Sequence, residues 1–220
     1  MTLPLSSQLI HLFAAALLLL SFAMLAQRRV LSLVNLFAFQ GAMLVASTVV
    51  VAWSSGQHHL YGSAGLTLAL KVLLLPYILH RLIRRLRVQW DTETLVNIPT
   101  VLLLGLLIVI FSFGLAQPIS QLASTVTRST LGIAIAVVLL SFLMMITRRK
   151  AVSQVVGFLA MENGLFFAAT SATYGMPMVV ELGIALDVLV GVFILGIFFF
   201  QIREQFESLD LHHLEALKEE

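Results

Sequence analysis

Two charged residues of opposite sign lie inside long apolar segments of this chain. Lys71 is the centre of the run 69–73, ALKVL, and Asp187 is the centre of the run 185–189, ALDVL. A charged side chain at the middle of a lipid bilayer costs at least about 2.5–3.5 kcal/mol, so residues of this kind usually serve a function. Because the two runs repeat one frame with a base and an acid exchanged, they predict a polar pathway through a membrane protein.

Three further polar residues are predicted to belong to this pathway. Gln40 and Glu162 lie about ten residues from the ends of their apolar segments, at a depth similar to that of Lys71, and Glu181 lies nearly two helical turns before Asp187. Titratable groups joined by water can carry protons through a low-dielectric layer. These five residues are therefore candidate proton-transfer residues. The alternative is a static ion pair between Lys71 and one of the acids, which would fix helix packing.

The composition is that of a membrane protein. Of the 220 residues, 60% are hydrophobic and 11% are charged, whereas soluble domains carry about 25% charged residues. The sequence contains no cysteine, which excludes disulfides, Cys-ligated zinc and thiolate-bound iron–sulfur clusters. It also contains no nucleotide-binding motif. The chain is therefore predicted to bind no cofactor and no nucleic acid, and to have lipid around it.

Seven apolar segments are long enough to cross the hydrocarbon core of a membrane, which takes about 20 residues. They cover residues 8–26, 30–53, 63–82, 99–117, 130–147, 152–173 and 179–200. Polar turns separate them, and Pro118 is expected to end the fourth segment. The sequence thus predicts an all-α polytopic membrane protein with about seven transmembrane helices, none of which is interrupted by glycine or proline at depth.

The basic residues are concentrated after alternate spans. Under the positive-inside rule, short loops rich in Lys and Arg stay in the cytoplasm. Nearly all of the 13 basic residues follow spans one, three, five and seven, namely Arg28, Arg29, Arg81, Arg84, Arg85, Arg87, Arg148, Arg149, Lys150, Arg203 and Lys218. This distribution predicts that the N-terminus lies outside and the C-terminus inside.

Spans one to three resemble spans five to seven. The basic run at Arg28 matches the run at Arg149, and the frame around Lys71 matches the frame around Asp187. Because the charges put the start of both units outside, the units are predicted to be parallel three-helix repeats that span four joins. The predicted divisions are a first repeat at 1–90, the linking helix and an outer loop at 91–128, a second repeat at 129–202 and an amphipathic cytoplasmic tail at 203–220.

The stretch 158–164, FLAMENG, and nearly the whole chain resemble hydrogenase-4 component E, a membrane subunit of group 4 energy-converting nickel–iron hydrogenases and of a formate hydrogenlyase. The resemblance implies a subunit without chemistry of its own in a bacterial or archaeal cytoplasmic membrane. The implied partners are antiporter-like and quinone-chamber-like membrane subunits, together with peripheral hydrogenase subunits that hold the NiFe and iron–sulfur centres. The implied role is proton translocation along a polar midplane axis and scaffolding of the membrane arm.

The C-terminal repeat is similar to the small three-helix subunit of respiratory complex I and of multisubunit cation/proton antiporters. Gly157 and Asn163 match the first motif of those subunits, whereas Leu159 stands where a glutamate is expected and Glu162 lies one turn further along. The second motif is matched by a run that starts at Asp187 and ends at glycine 191, with aspartate in place of glutamate. The resemblance implies that these acids take part in proton transfer.

Two other functions remain open from the sequence. One is a free-standing proton or cation transporter with Lys71, Glu162 and Asp187 as its ion site, although spans without an interruption at depth disfavour it. The other is a purely structural assembly subunit with no role in proton transfer. A transporter would be active as a monomer, whereas in an assembly subunit the buried charges would only hold helices together.

Overall fold

The computed structural model of this chain describes residues 4–85, 94–120, 125–173 and Gly191. The described helices belong to one compact unit, Met1–Ala185, and Gly191 is the one described residue of a second unit, Leu186–Glu220. The predicted seventh span at 179–200 and the predicted tail at 203–220 therefore lie outside the described residues.

Long apolar runs form helices throughout the described part, because in lipid the backbone polar groups of a single segment can be satisfied only within a helix. The elements are α1 (Leu5–Ala26), α2 (Val30–Ser55), α3 (His59–Thr67), a π-helical segment (Leu68–Leu74), α4 (Leu75–Arg85), α5 (Ile98–Ser120), α6 (Thr125–Thr147) and α7 (Ala151–Thr173). The third span is continuous from α3 to α4. Six spans of the described part are long and apolar enough to cross a membrane. They agree with the first six predicted spans and confirm an all-α polytopic membrane protein.

Helix α5 does not end where the sequence predicts. Pro118 was expected to terminate the fourth span, but α5 continues through it to Ser120. A proline removes one backbone hydrogen bond, and in the last turn of a helix that loss affects only a segment that tends to fray. Pro118 therefore lies inside the last turn of α5 and does not end the helix.

The third span contains an irregularity that the sequence-based prediction missed. In the π-helical segment the turns are wider than in an α-helix, and the N–H of Leu75 donates to the carbonyl of Leu70, five residues earlier. Pro76 follows directly, and a proline ring clashes with the carbonyl four residues before it. A wider turn relieves that clash, since π-helical bonds reach one residue further back. The third span is therefore unbroken at depth, as the sequence predicts, but it contains a π-helical segment that the sequence-based prediction did not include.

Contacts between the helices show their relative directions. The Arg148 side chain, just after α6, contacts the last turn of α1, so α1 and α6 end at the same side. Away from that side, α1, α2, α3, α6 and α7 contribute to one apolar cluster. Its buried residues are Ile10, Ala14, Leu17, Leu44, Val51, Ala52, Leu60, Ala134, Val137, Phe166 and Phe167. Helices α1 and α6 thus run in one direction, and α2 and α7 run in the other.

The two ends of this bundle differ in charge. The end where α1 and α6 finish is named here the basic end, and it carries Arg28, Arg29, Arg81, Arg84, Arg148, Arg149 and Lys150. The opposite end contains the turn between α2 and α3, where Gly56 has a φ of 68°, a left-handed conformation that glycine adopts without strain. The helix directions agree with parallel repeats. The last helix of the second predicted repeat lies outside the described residues, so the repeat stays a prediction. The side of the bundle that faces the cytoplasm also stays a prediction.

Helix α7 packs closely against α6 at Gly164. A Cβ atom at this position would lie 2.9 Å from Cγ1 of Val137 and 3.2 Å from the backbone nitrogen of Val138. We expect Gly164→Leu to lower the thermal unfolding temperature of the detergent-solubilised protein, because overpacking costs about 1–3 kcal/mol. Gly114→Leu on α5 is the matched control, since no atom lies within 4 Å of its Cβ position. Equal losses in the two variants would contradict close packing at Gly164.

Candidate functional site

Lys71 and Glu162 form an ion pair inside the helical bundle. The Nζ atom of Lys71 lies 3.6 Å from Oε2 of Glu162, and the two side chains are 1% and 3% exposed. Each residue lies near the middle of its span, roughly 17 Å from the first residue of α3 or α7 at 1.5 Å per residue. The structure therefore places two of the predicted residues together at the depth that the sequence indicates.

The surroundings of Lys71 hold its ammonium group in place. The residue lies on the π-helical segment. Such turns are rare in proteins, and those that do occur are often found at functional sites. Gly41 of α2 allows a close approach, because a Cβ atom there would meet Cγ2 of Val72 at 3.4 Å and Cβ of Lys71 at 3.5 Å. The ring of Phe166 on α7 lies 5.8 Å from Nζ of Lys71. The ammonium thus contacts both a carboxylate and an aromatic face of the same helix.

A chain of hydrogen bonds between uncharged side chains lies next to the ion pair. Asn163, the residue after Glu162, donates from Nδ2 to Oε1 of Gln40 at 3.2 Å, and Gln40 donates from Nε2 to Oγ of Ser21 at 3.0 Å. Ser21 in turn donates to the backbone carbonyl of Leu17 at 2.9 Å. A buried polar group without a partner costs about 1–3 kcal/mol. These bonds therefore fix α1, α2 and α7 relative to one another beside the charged pair.

Three of the five candidate residues belong to this layer. Lys71 and Glu162 are in contact, and Gln40 precedes the glycine of α2 that packs on Lys71. Glu181 and Asp187 lie outside the described residues, so their place in the pathway stays a prediction. The contact between Lys71 and Glu162 agrees with a static ion pair and with a proton relay. Within the described ranges no group of three or more His, Cys, Asp or Glu side chains could hold a metal ion.

The sequence-based prediction missed Ser21 and Phe166. Ser21 lies in the leucine-rich half of α1, where a serine usually bonds to its own backbone, so its second role as an acceptor for Gln40 had no signal. Phe166 follows Glu162 by four residues and so lies on the same helix face, a spacing that could have indicated it. Leu159, where the complex I resemblance puts a glutamate, is a fully buried core residue one turn before Glu162.

A second buried cation lies at the basic end. Arg148 is 1% exposed, and its Nη2 atom donates to the carbonyls of Leu25 at 2.9 Å and Met24 at 3.3 Å. These carbonyls belong to the last turn of α1, where backbone oxygens have no partner within the helix. Burial lowers the pKa of Arg148 from its ordinary value, yet the guanidinium stays protonated because its ordinary pKa is so high. Arg148 therefore caps α1 and joins it to α6, whereas the sequence indicated it only as a sign of membrane orientation.

The six apolar spans of the described residues, together with a buried ion pair, define a polytopic α-helical membrane protein. The chain is 35% identical over 209 residues to the uncharacterized protein Rv0085 of Mycobacterium tuberculosis, and the match covers 94% of this chain and 95% of that protein. The chain therefore belongs to the same family as Rv0085.

The chain is also similar to hydrogenase-4 component E. It is 29% identical over 188 residues to the protein of that name from Escherichia coli strain K12. The match covers 86% of this chain and 82% of that protein. The same figures hold for the protein from Shigella flexneri. This similarity supports the resemblance that the stretch 158–164 indicates, whereas the likeness to the complex I subunit stays a prediction. No family model and no solved structure matches the chain.

Proposed function

We propose that this chain is a non-catalytic membrane subunit of a hydrogenase or formate hydrogenlyase-type complex, and that Lys71 and Glu162 belong to its proton-transfer axis. The observation that carries the proposal is a buried pair of opposite charges at midspan in a chain similar to a hydrogenase component. Ionisable residues inside membrane spans commonly mark ion and proton pathways. The similarity to hydrogenase-4 component E supports the membership in a complex, and the ion pair supports the role in proton transfer.

The chemistry of the pair suits the movement of a proton. The ammonium of Lys71 can release a proton, and the carboxylate of Glu162 can accept one. Their separation of 3.6 Å exceeds the about 2.7–2.9 Å of a direct charge-assisted hydrogen bond, so transfer needs a small approach or one bridging water. Because electrostatic interactions are strong in a low-dielectric interior, a charge that arrives nearby interacts strongly with both members of the pair. Coupling of this kind is what a proton-translocating subunit requires.

Helix α5 supports a scaffolding role. It packs against α6 and α1, and much of its remaining surface is apolar and more than half exposed, at Leu103, Leu106, Leu107, Ile110 and Phe111. In the proposed complex this surface faces lipid or a neighbouring subunit of the antiporter-like or quinone-chamber-like kind, while peripheral subunits hold the NiFe and iron–sulfur centres. By the positive-inside rule, the proposal puts the basic end in the cytoplasm.

Co-isolation tests the proposed membership in a complex. The chain, tagged at its native chromosomal locus, is extracted in mild detergent, and the proteins that co-purify are identified by mass spectrometry against an untagged strain. We expect hydrogenase large and small subunits and antiporter-like membrane subunits in stoichiometric amounts. Recovery of the chain as a monodisperse monomer under conditions that keep membrane hydrogenase activity intact would contradict the proposal.

A free-standing transporter is the second candidate, because one observation favours it. A π-helical segment lies in the third span at the depth of the ion pair, and π-helical turns occur frequently at functional sites. The purified chain alone, reconstituted into liposomes with a pH gradient, distinguishes the two functions. Proton flux that depends on Lys71 would support the transporter, whereas liposomes that hold the gradient would support the subunit.

A further inference from the structure

A cavity of about 560 Å³ lies on the third span near the basic end, away from the ion pair. The described residues that line it are Pro76, Tyr77, His80, Arg81 and Arg84 of α4. Their spacing puts these side chains on one face of the helix, since residues three, four and eight positions apart line up along an α-helix. The proposed proton-transfer role uses none of these residues.

Among the described residues, no carboxylate neutralises the positive charge of the cavity. Arg81 and Arg84 are exposed, and Glu162 is the sole carboxylate in the described part of the chain, where it faces Lys71. No carboxylate of the described residues therefore pairs with either guanidinium. Two guanidinium groups one helical turn apart, each able to donate several hydrogen bonds in a plane, match the geometry of a phosphate group.

Two local hydrogen bonds orient the polar groups of the cavity. Nη1 of Arg81 donates to the hydroxyl oxygen of Tyr77 at 3.3 Å, which leaves the hydroxyl hydrogen of Tyr77 free to be donated to a ligand. Nδ1 of His80 lies 2.8 Å from the carbonyl of Pro76, and because that oxygen can only accept, Nδ1 must carry the hydrogen. The ring of His80 is thereby held against the helix, and Arg81 is held toward the cavity.

The depth of the cavity matches the headgroup region of a bilayer. The apolar run of the third span gives way to basic residues at Arg81, so Tyr77 precedes that change in polarity and Arg84 follows it. Tyr77 is 61% exposed, and tyrosines at this depth form the aromatic belts of membrane proteins. A ligand in the cavity would therefore extend from the water-facing arginines into the acyl region.

We propose that this cavity binds the phosphodiester headgroup of an anionic phospholipid. Arg81 and Arg84 contact the phosphate oxygens, Tyr77 donates its hydroxyl hydrogen at the level of the glycerol backbone, and the acyl chains continue along the apolar surface of the third span. Basic pockets at the ends of transmembrane helices recognise anionic headgroups in this way. The inference does not depend on the role of Lys71 and Glu162, because it uses a different surface and a different ligand.

Titration of the full-length chain in detergent with phosphatidylglycerol, followed by native mass spectrometry, tests this site. We expect Arg81→Gln/Arg84→Gln to weaken phosphatidylglycerol binding about 30-fold, since each basic residue near the headgroups contributes about fivefold. Tyr77→Phe should weaken binding about 2–10-fold through loss of one hydrogen bond. The matched control is Arg28→Gln/Arg29→Gln, which removes the same charge from exposed residues at the same end and should leave the affinity unchanged.

Three outcomes would overturn the proposal. The first is an equal loss of affinity in the two double variants, which would indicate a general surface charge effect. The second is equal binding of phosphatidylcholine, whose headgroup has no net charge. The third is displacement of the lipid by millimolar inorganic phosphate, which would indicate a site for a free anion. Equal thermal unfolding temperatures for the variants and the unmodified chain exclude misfolding as a cause of lost binding.

Discussion

Replacing Lys71 with methionine alone is expected to destabilise the protein by about 3–5 kcal/mol, because removal of one partner leaves the other buried charge uncompensated. The carboxylate of Glu162, which is 3% exposed and 3.6 Å from the ammonium, would then face an apolar side chain. Glu162→Met is expected to have a similar effect on the ammonium. Replacing both residues should restore most of the stability, since apolar residues of similar volume often replace a buried ion pair without loss.

Thermal unfolding of the four proteins in one detergent measures this double-mutant cycle. The matched control is Lys150→Met, which removes the same kind of side chain from a half-buried position at the basic end. Each single variant is expected to lose more stability than the double variant, because the effects of substitutions at residues in contact are not additive. A double variant whose loss equals the sum of the single losses would show that Lys71 and Glu162 do not act as a pair.

Arg148→Met is expected to have the next largest effect, a loss of about 1–3 kcal/mol. Its guanidinium donates to two carbonyls in the last turn of α1, and methionine would leave both oxygens buried without this donor. Arg148→Lys keeps the positive charge near the helix C-terminus, where it interacts favourably with the helix dipole. It should recover part of the stability, because lysine cannot reproduce the planar arrangement of guanidinium donors.

The neighbouring residue supplies the control for this experiment. Arg149 is exposed, and Arg149→Met should change the unfolding free energy by no more than about 0.5 kcal/mol. Thermal unfolding in the same detergent, monitored by circular dichroism, compares Arg148→Met, Arg148→Lys and Arg149→Met with the unmodified chain. If Arg148→Met and Arg149→Met unfolded at the same temperature, the cap on α1 would not contribute to stability.

The sequence predicts the spans and the depth of the buried charges, but not which helix faces meet. Depth follows from counting residues along an apolar run, which is why Lys71 and Glu162 were expected in one layer. Their pairing depends on the packing of the third span against α7, which in turn depends on Gly41 and on the wider turns of the π-helical segment. The proline after that segment, Pro76, was the available signal, since a proline inside a helix calls for a local adjustment.

Arg148 shows a second limit of the sequence. Its neighbours Arg149 and Lys150 lie at the surface or are half-buried, whereas Arg148 is turned inward to α1. All three are equivalent under the positive-inside rule, because that rule concerns charge and not direction. The difference arises from the end of α1, whose carbonyls need donors that are more than a hundred residues away in the chain.

If Lys71 and Glu162 take part in proton transfer, the ratio of translocated protons to transferred electrons must depend on these two residues. The complex that contains this chain is purified with Lys71→Met/Glu162→Met, a variant expected to fold, and is reconstituted in liposomes. We expect electron transfer in the peripheral subunits to continue while the proton-to-electron ratio falls, and we expect the same result for Asp187→Asn. An intact complex in which the double variant retains the ratio of the unmodified complex would rule out this role and show that the pair only holds the helices together.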